Sequence, residues 1–336
     1  MPSWGELLEE LQQSSRDRGG GPNLDGVRRK YLKKLNDLTG RPTIIYYSDW
    51  LGKGGPLALI NLEDMQGMME VCRDLKGPCL DIILHSPGGS PEAVAGIVHY
   101  LREQFSDIRV FVPLAAMSAA TMWSLAGNVV VMGKHSQLGP IDPQMLLPDG
   151  RQAPADAILR QFEKAKEECR DPALLGAWVP ILQMYGPALL EQCKAAKALA
   201  KGLVQKWLTE YMFHGESDAD SKAKSIAKYF ADYDKHRSHS RGIYLKEARD
   251  QGVKIAELED NQELQDAVLT VHHAAMHTFQ GLAIKIVENH LGRAFIKLVP
   301  PPPTMMPLQF PLPQGLRLPG DITPGFPGAP PAPGKQ

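Results

Sequence analysis

The sequence predicts an α/β protein with a mostly parallel sheet, a helical C-terminal region and a disordered, Pro-rich tail. Three observations carry that prediction. Between residues 43 and 144, short apolar runs alternate with amphipathic stretches, the pattern of βαβ units. Between 153 and 298, apolar residues recur at helical spacing. From Pro300 onward the chain holds nearly half of its 28 prolines and few charges.

Composition narrows the function classes. The 336 residues suffice for one large domain or two smaller ones with buried cores. A hydrophobic content of 43% and a formal charge of −1 describe an ordinary soluble globular protein. They argue against a nucleic acid or an anionic membrane as partner. Cys72, Cys79, Cys169 and Cys193 show neither CxxC nor any ligand-like spacing. The opening "WGELLEELQQSSRDRGGG" is too acidic and polar for an export signal, so reduced thiols and a cytoplasmic location are expected.

Residues 1–40 read as a charged, helical N-terminal extension broken at "RGGGPN". Residues 41–150 supply the sheet. The strand candidates are "TIIYYS", "LALIN", "CLDIILH", "IRVFVPLA" and "NVVVM", with "DMQGMMEVCRDL" and "SPEAVAGIVHYLREQF" as helices between them. No residue from Val110 to Met132 is charged, a length that would span a bilayer. Pro113, Ser118, Ser124, Gly127 and Asn128 interrupt the run, which divides into strand, small-residue helix and strand. A buried α/β core is uncharged for the same reason as a membrane span, and the core assignment is preferred. Residues 151–299 form a helical region completing the fold and supplying oligomer contacts. Its helices are "PADAILRQFEKAKEEC", "GPALLEQCKAAKALAKGLVQKWLTEYMF" and "NQELQDAVLTVHHAAMHTFQGLAIKIVENHL", with a helix–turn segment at "SRGIYLKEARDQGVKIAEL". Residues 300–336 form the disordered or polyproline-like tail.

The stretch "SPGGSPEAVAGIVHYL" places two adjacent glycines between a strand and a helix. It matches neither GxxxxGK[ST] nor GxGxxG, so a phosphate loop is not indicated. An adjacent Gly pair lets successive backbone N–H groups turn outward into an anion-binding nest, here at a positive helix end. The plainer alternative is a strand-to-helix turn, with Ser90 as N-cap and Pro91 at the first helical position. One strand–helix unit later, Ser118 stands where a strand gives way to a helix. Its small neighbours Ala115, Ala116, Ala119 and Ala120 would let a substrate approach the backbone closely.

Together "YYSDWL" (46–51), "SPGG" (86–89), "MSAAT" (117–121) and "GKHSQLGPIDPQ" (133–144) resemble the ClpP/crotonase superfamily. With "FEKAKEEC" (162–169) and "AAMHTF" (274–279), the chain is most similar to its serine dehydrogenase proteinase family, relatives of the signal peptide peptidase A group. The likeness covers about residues 25–297 and implies a ClpP/crotonase-type ββα core, a peptidase activity without cofactor or metal, a polypeptide substrate and a homo-oligomer. By that resemblance Ser118 matches the nucleophile. Gly88 and Gly89 match the oxyanion-hole pair, with the Ala119 N–H as a further donor.

The base is open. ClpP-like members use a histidine downstream of the serine, but the corresponding "IDPQ" offers Asp142. Signal peptide peptidase A-like members use a lysine, but the corresponding "APADAILRQF" has none. His135 has a suitable intrinsic pKa, or it is simply a turn residue. Lys134 would need desolvation to serve, and Asp142 would orient a base rather than act as one. Lys164 and Lys166 are the nearest downstream lysines. His273 and His277 share a helix face at i, i+4, but without a third ligand packing is the simpler reading, as it is for His272. His236 and His239 in "DKHRSHSRG" read as a polar loop. Two other functions stay open: a crotonase-like acyl-CoA enzyme using the same nest for an enolate, and a silent oligomeric scaffold. An acidic pair near the nest would favour the first of these, and none is evident.

Overall fold

The computed structural model describes residues 3–299; the Pro-rich tail expected at 300–336 lies outside the described residues. Helix α1 (Trp4–Arg18) opens on a Ser3/Glu6 capping box and α2 (Leu24–Thr39) on Asn23. Then β1 (Thr43–Ser48), α3 (Asp64–Cys72), β2 (Cys79–His85), α4 (Pro91–Arg102) and β3 (Asp107–Val112) follow. A short β4 (Ala115–Ala116), α5 (Ala119–Leu125) and β5 (Val129–Met132) complete the alternating half. Strands β5, β3, β2 and β1 lie side by side and parallel.

This order explains why the strands read as apolar runs rather than alternating patterns. Ile44, Tyr46, Ile82, Leu84, Val110 and Val130 point into one core. Ile45, Tyr47, Ile83, Phe111 and Val131 point into another on the opposite face. A sheet covered on both sides has no wet face, and each fully buried large side chain contributes about 1.5–3 kcal/mol. The uncharged run 110–132 is accordingly strand, helix and strand, and no described helix is long and apolar enough to cross a membrane.

The rest of the chain adds β6 (Gln137–Leu138), a hairpin of β7 (Gln144–Leu146) and β8 (Gln152–Pro154), and α6 (Ala155–Glu168). Helices α7 (Leu175–Gln183), α8 (Leu189–Trp207), α9 (Ala219–Phe230) and α10 (Tyr233–His236) come next. The segment expected as helix–turn is β9 (Ile243–Tyr244), α11 (Leu245–Asp250) and β10 (Ile255–Glu257), the last pairing parallel with β5. Val204, Trp207, Ile226 and Phe230 of α8 and α9 join the first core.

Two expectations need correction. "LALIN" is not a strand: Pro56 starts a single 3-10 turn, and only Ile60 pairs, by an isolated bridge to Gly89. The long helix expected through Leu291 stops at Thr278. It is α12 (Gln262–Thr278), followed by β11 (Ala283–Asn289) and β12 (Ala294–Leu298). β11 runs antiparallel between β1 and β12, buried at every position, so its residues carry no strand-like alternation to read.

Candidate active site

The carboxyl ends of β2 and β3 meet at one place. Ser86 and Ala116 form a parallel bridge, with Ser86 N donating to Ala115 O (3.2 Å) and Met117 N to Ser86 O (3.0 Å). This ties the glycine turn after β2 to the serine turn after β4. Ser90 caps α4 by accepting from Ala93 N at 3.0 Å, with Pro91 in the first turn. The Ser90 cap and the glycine turn therefore coexist.

Gly88 and Gly89 have φ of 95° and 153°, and both are hemmed in by backbone. A Cβ on Gly88 would lie 2.6 Å from Met117 O and 2.8 Å from Ala119 N. One on Gly89 would lie 2.3 Å from Ile60 O. Ile60 N donates to Gly88 O (2.8 Å) and Ser90 N to Ile60 O (2.9 Å), so Ile60 runs along the turn like a partner strand. Among the described residues, neither Gly89 N–H nor Ala119 N–H has an acceptor, whereas Gly88 N donates to Ser86 Oγ at 3.2 Å. Two of the three expected donors are thus free to bind an anion.

Ser118 has φ 52° and ψ −121°, a backbone state that costs a non-glycine residue about 1–3 kcal/mol. It precedes α5 without capping it. A strained strand-to-helix turn of this kind lifts a serine hydroxyl clear of the backbone. Buried Ala116, Ala119 and Ala120 leave the room this needs. Thr121 Oγ1 donates to Ala116 O (2.7 Å) and accepts from Gly139 N (2.9 Å), fixing the turn against the loop that carries Asp142.

Ser118 opens onto a cleft of about 380 Å³, with Gly89, Met122, Ile141, Leu199 and His239 also in its wall. His239 Nδ1 lies 2.8 Å from Asp142 Oδ1, and Gln144 Nε2 donates to Asp142 Oδ2 at 2.7 Å. The Asp142 side chain is 2% exposed and that of His239 26%, so the imidazole stands between the carboxylate and the cleft. With Nδ1–H donated to Asp142, Nε2 keeps its lone pair. His236 anchors this loop: buried, it donates from Nε2 to Tyr229 O (2.7 Å) and accepts from Arg241 at Nδ1 (2.8 Å). Burial, with the Arg241 charge beside it, holds its pKa below the ordinary value, consistent with the neutral ring those contacts require.

Of the five base candidates from sequence, only Asp142 reaches this cluster. His135 is exposed, with Nε2 2.9 Å from Pro113 O. The exposed Lys134 is held through its N–H by Glu259 (2.9 Å). Lys164 and Lys166 pair with Glu168 and Glu163 on the outside of α6. His239, which reads from the sequence as a polar-loop residue, is the histidine that lines the cleft with Ser118 and meets Asp142. His272 packs in the second core with Nδ1 3.2 Å from the Tyr47 hydroxyl, while His277 lies 3.9 Å from the Trp4 ring and bonds its carbonyl at 3.1 Å. No three metal-ligating side chains converge among the described residues.

The family described as ClpP-like SDH-type serine proteinase matches residues 54–265. The chain is 27% identical to the uncharacterized protein MJ0137 of Methanocaldococcus jannaschii over 238 residues, 69% of this chain and 74% of that protein. It is 31% identical to the uncharacterized protein MJ1495 of the same organism over 172 residues, 50% of each. Among solved structures, a serine-to-alanine mutant of the 1510-N membrane-bound stomatin-specific protease is similar with a TM-score of 0.36. Its identity is 17%, over 62% of this chain and 79% of that one. A lysine-to-alanine mutant of that protease with a substrate peptide gives 0.31 at 19% identity, over 54% and 61%. The family match spans more than half of the chain, and on that ground the chain belongs to the ClpP-like SDH-type serine proteinases.

Proposed function

We propose that this serine peptidase cleaves polypeptides through an acyl-enzyme on Ser118, with His239 as general base and Asp142 as its orienting carboxylate. One observation carries the reading: the strained Ser118 turn and His239, held from behind by Asp142, line the same cleft. Ser118 Oγ attacks the scissile carbonyl carbon while His239 Nε2 takes the hydroxyl proton. The buried Asp142 carboxylate stabilises the imidazolium that forms and keeps Nδ1–H in place. The carbonyl oxygen becomes an oxyanion, bound by the unengaged amides of Gly89, in the turn before α4, and of Ala119, the first residue of α5. Collapse of the tetrahedral intermediate passes the proton from His239 to the leaving amine. Water then repeats the sequence on the ester, releasing the acid and restoring Ser118.

The test is labelling with a fluorophosphonate and mapping of the adduct by mass spectrometry. The expected adduct is on Ser118, absent from Ser118→Ala and strongly slowed in His239→Ala. An adduct elsewhere, or none together with no hydrolysis of peptides or esters, would sink the reading.

A further inference from the structure

Lys285 of β11 and Asp64 of α3 form an ion pair whose side chains are both 0% exposed. Lys285 Nζ lies 2.7 and 2.8 Å from the two carboxylate oxygens and 2.8 Å from Leu59 O. Asp64 Oδ2 also accepts from the Tyr46 hydroxyl (2.7 Å) and from Asn61 N (2.9 Å). Replacing such a buried pair with apolar groups of similar volume is often neutral or stabilising, so fold stability alone does not account for it.

Its placement gives another account. The pair grips Leu59 by its carbonyl and Asn61 by its amide, the two residues flanking Ile60. Ile60 is the residue whose N–H and carbonyl are both bonded to the glycine turn, at Gly88 O and Ser90 N. Residues 59–61 belong to no strand or helix that would otherwise hold them. The Ile60 backbone also fills the space where a Gly89 Cβ would sit, and so sets how the Gly89 amide is presented.

Resting on the proposed acyl-enzyme reading, we infer that Lys285, Asp64 and Tyr46 are positioning residues for the oxyanion site. They act through the Leu59–Asn61 segment on the Gly89 N–H. They touch no substrate. Their effect belongs to the transition state, because the amide they aim binds an oxygen that becomes charged only there.

The experiment compares wild type with the apolar triple variant Tyr46→Phe/Asp64→Leu/Lys285→Met. Three quantities are read: kcat and KM on a peptide substrate, thermal midpoint, and the inhibition ratio of a peptide aldehyde to its carboxamide. The aldehyde adds to Ser118 and forms the oxyanion; the carboxamide binds without doing so. Loss of one oxyanion donor costs about 10²–10³ in kcat, so a displaced donor should cost about tenfold or more, with KM within about twofold. The aldehyde preference should fall by the same factor while the midpoint holds. An unchanged kcat and ratio overturns the inference, and so does a lower kcat with an unchanged ratio. Should the triple variant not fold, Asp64→Asn keeps the shape, halves the charge pair and is judged by the same ratio. Wild-type protein that neither labels at Ser118 nor hydrolyses peptide removes the underlying reading, and this inference with it, by a result no variant could mimic.

Discussion

His239 Nδ1 and Asp142 Oδ1 meet at 2.8 Å across 97 residues of sequence. Asp142 is held from the other side by Gln144 and lies out of solvent, so its charge has two directed donors to offset desolvation. The pair therefore fixes both the ring orientation and the tautomer of His239. That is the property a base needs before it can accept a proton from a serine.

Asp142→Asn should lower kcat by about 10⁴-fold with KM nearly unchanged, the loss expected when an imidazole is held in the wrong tautomer. Ser118→Ala/His239→Ala should be no worse than Ser118→Ala alone, because residues acting as a unit are not additive. Alanine at Lys134, His135, Lys164 or Lys166 should leave kcat within about twofold. Steady-state hydrolysis of a peptide ester measures all of these. An Asp142→Asn enzyme with a tenth of wild-type turnover would remove the carboxylate from the mechanism.

The difference between what the sequence tells and what it withholds follows from contact range. Gly88, Gly89 and Ser118 lie within contiguous motifs whose residue types report local backbone demands, so the two unusual turns they form are legible in the sequence. The parallel half of the sheet was legible too, because each strand and its crossover helix are neighbours in the chain. His239 becomes a partner for Asp142 only after α6 to α10 have packed and brought their loop back to the cleft. Nothing local distinguishes it from His236, which instead anchors the loop. The lack of a histidine near "IDPQ" is the one sign in the sequence that a base, as proposed, would come from further along the chain. β11 escapes the sequence for a different reason: buried on both faces, it shows neither strand alternation nor a charged stripe.

Gly89→Ala should cut kcat by about 10²–10³-fold, because a methyl 2.3 Å from Ile60 O forces the turn open and displaces the amide. Gly96→Ala in α4 is the internal control. There the added carbon would meet only the end of Met65 at 3.5 Å, and a helical alanine should stabilise by about 0.5–1 kcal/mol without loss of activity. Equal activity in the two variants would show that the turn does not shape the reaction.

Acid should destabilise the fold through its buried histidines. His85 is fully buried at the end of β2, with Nδ1–H donated to Ala115 O at 3.2 Å and Nε2 without a partner among the described residues. Burial pulls its pKa from 6.5 to about 4, against smaller opposing pulls from the hydrogen bond to Ala115 O and then from the Asp49 charge. An unfolded chain therefore takes up this proton from about pH 6.5 downward while the folded one resists it until about pH 4. The neutral ring's contribution is present above pH 6.5 and is lost across that window, on the order of 3 kcal/mol at its end. His272 and His273, also held low by burial, steepen the same slope. In urea titrations, His85→Gln should lose about 2 kcal/mol less than wild type between pH 7.5 and pH 5. Parallel pH profiles for the two proteins would exclude His85 as the source.

Ser118→Gly and Ser118→Ala should both be inactive, yet they should differ in stability. At φ 52° and ψ −121° a Cβ is unwelcome, and alanine keeps that strain while glycine removes it. Relief of about 1–3 kcal/mol is offset by the roughly 0.5–1 kcal/mol that glycine's greater freedom in the unfolded chain costs. Ser118→Gly should therefore be more stable than Ser118→Ala by about 1 kcal/mol, read from urea midpoints at constant slope. Such a result would mean that the turn stores strain in order to present the hydroxyl, stability given up locally for chemistry. If instead Ser118→Ala is the more stable protein, no strain resides at Ser118, and the turn owes its shape to the surrounding glycines alone.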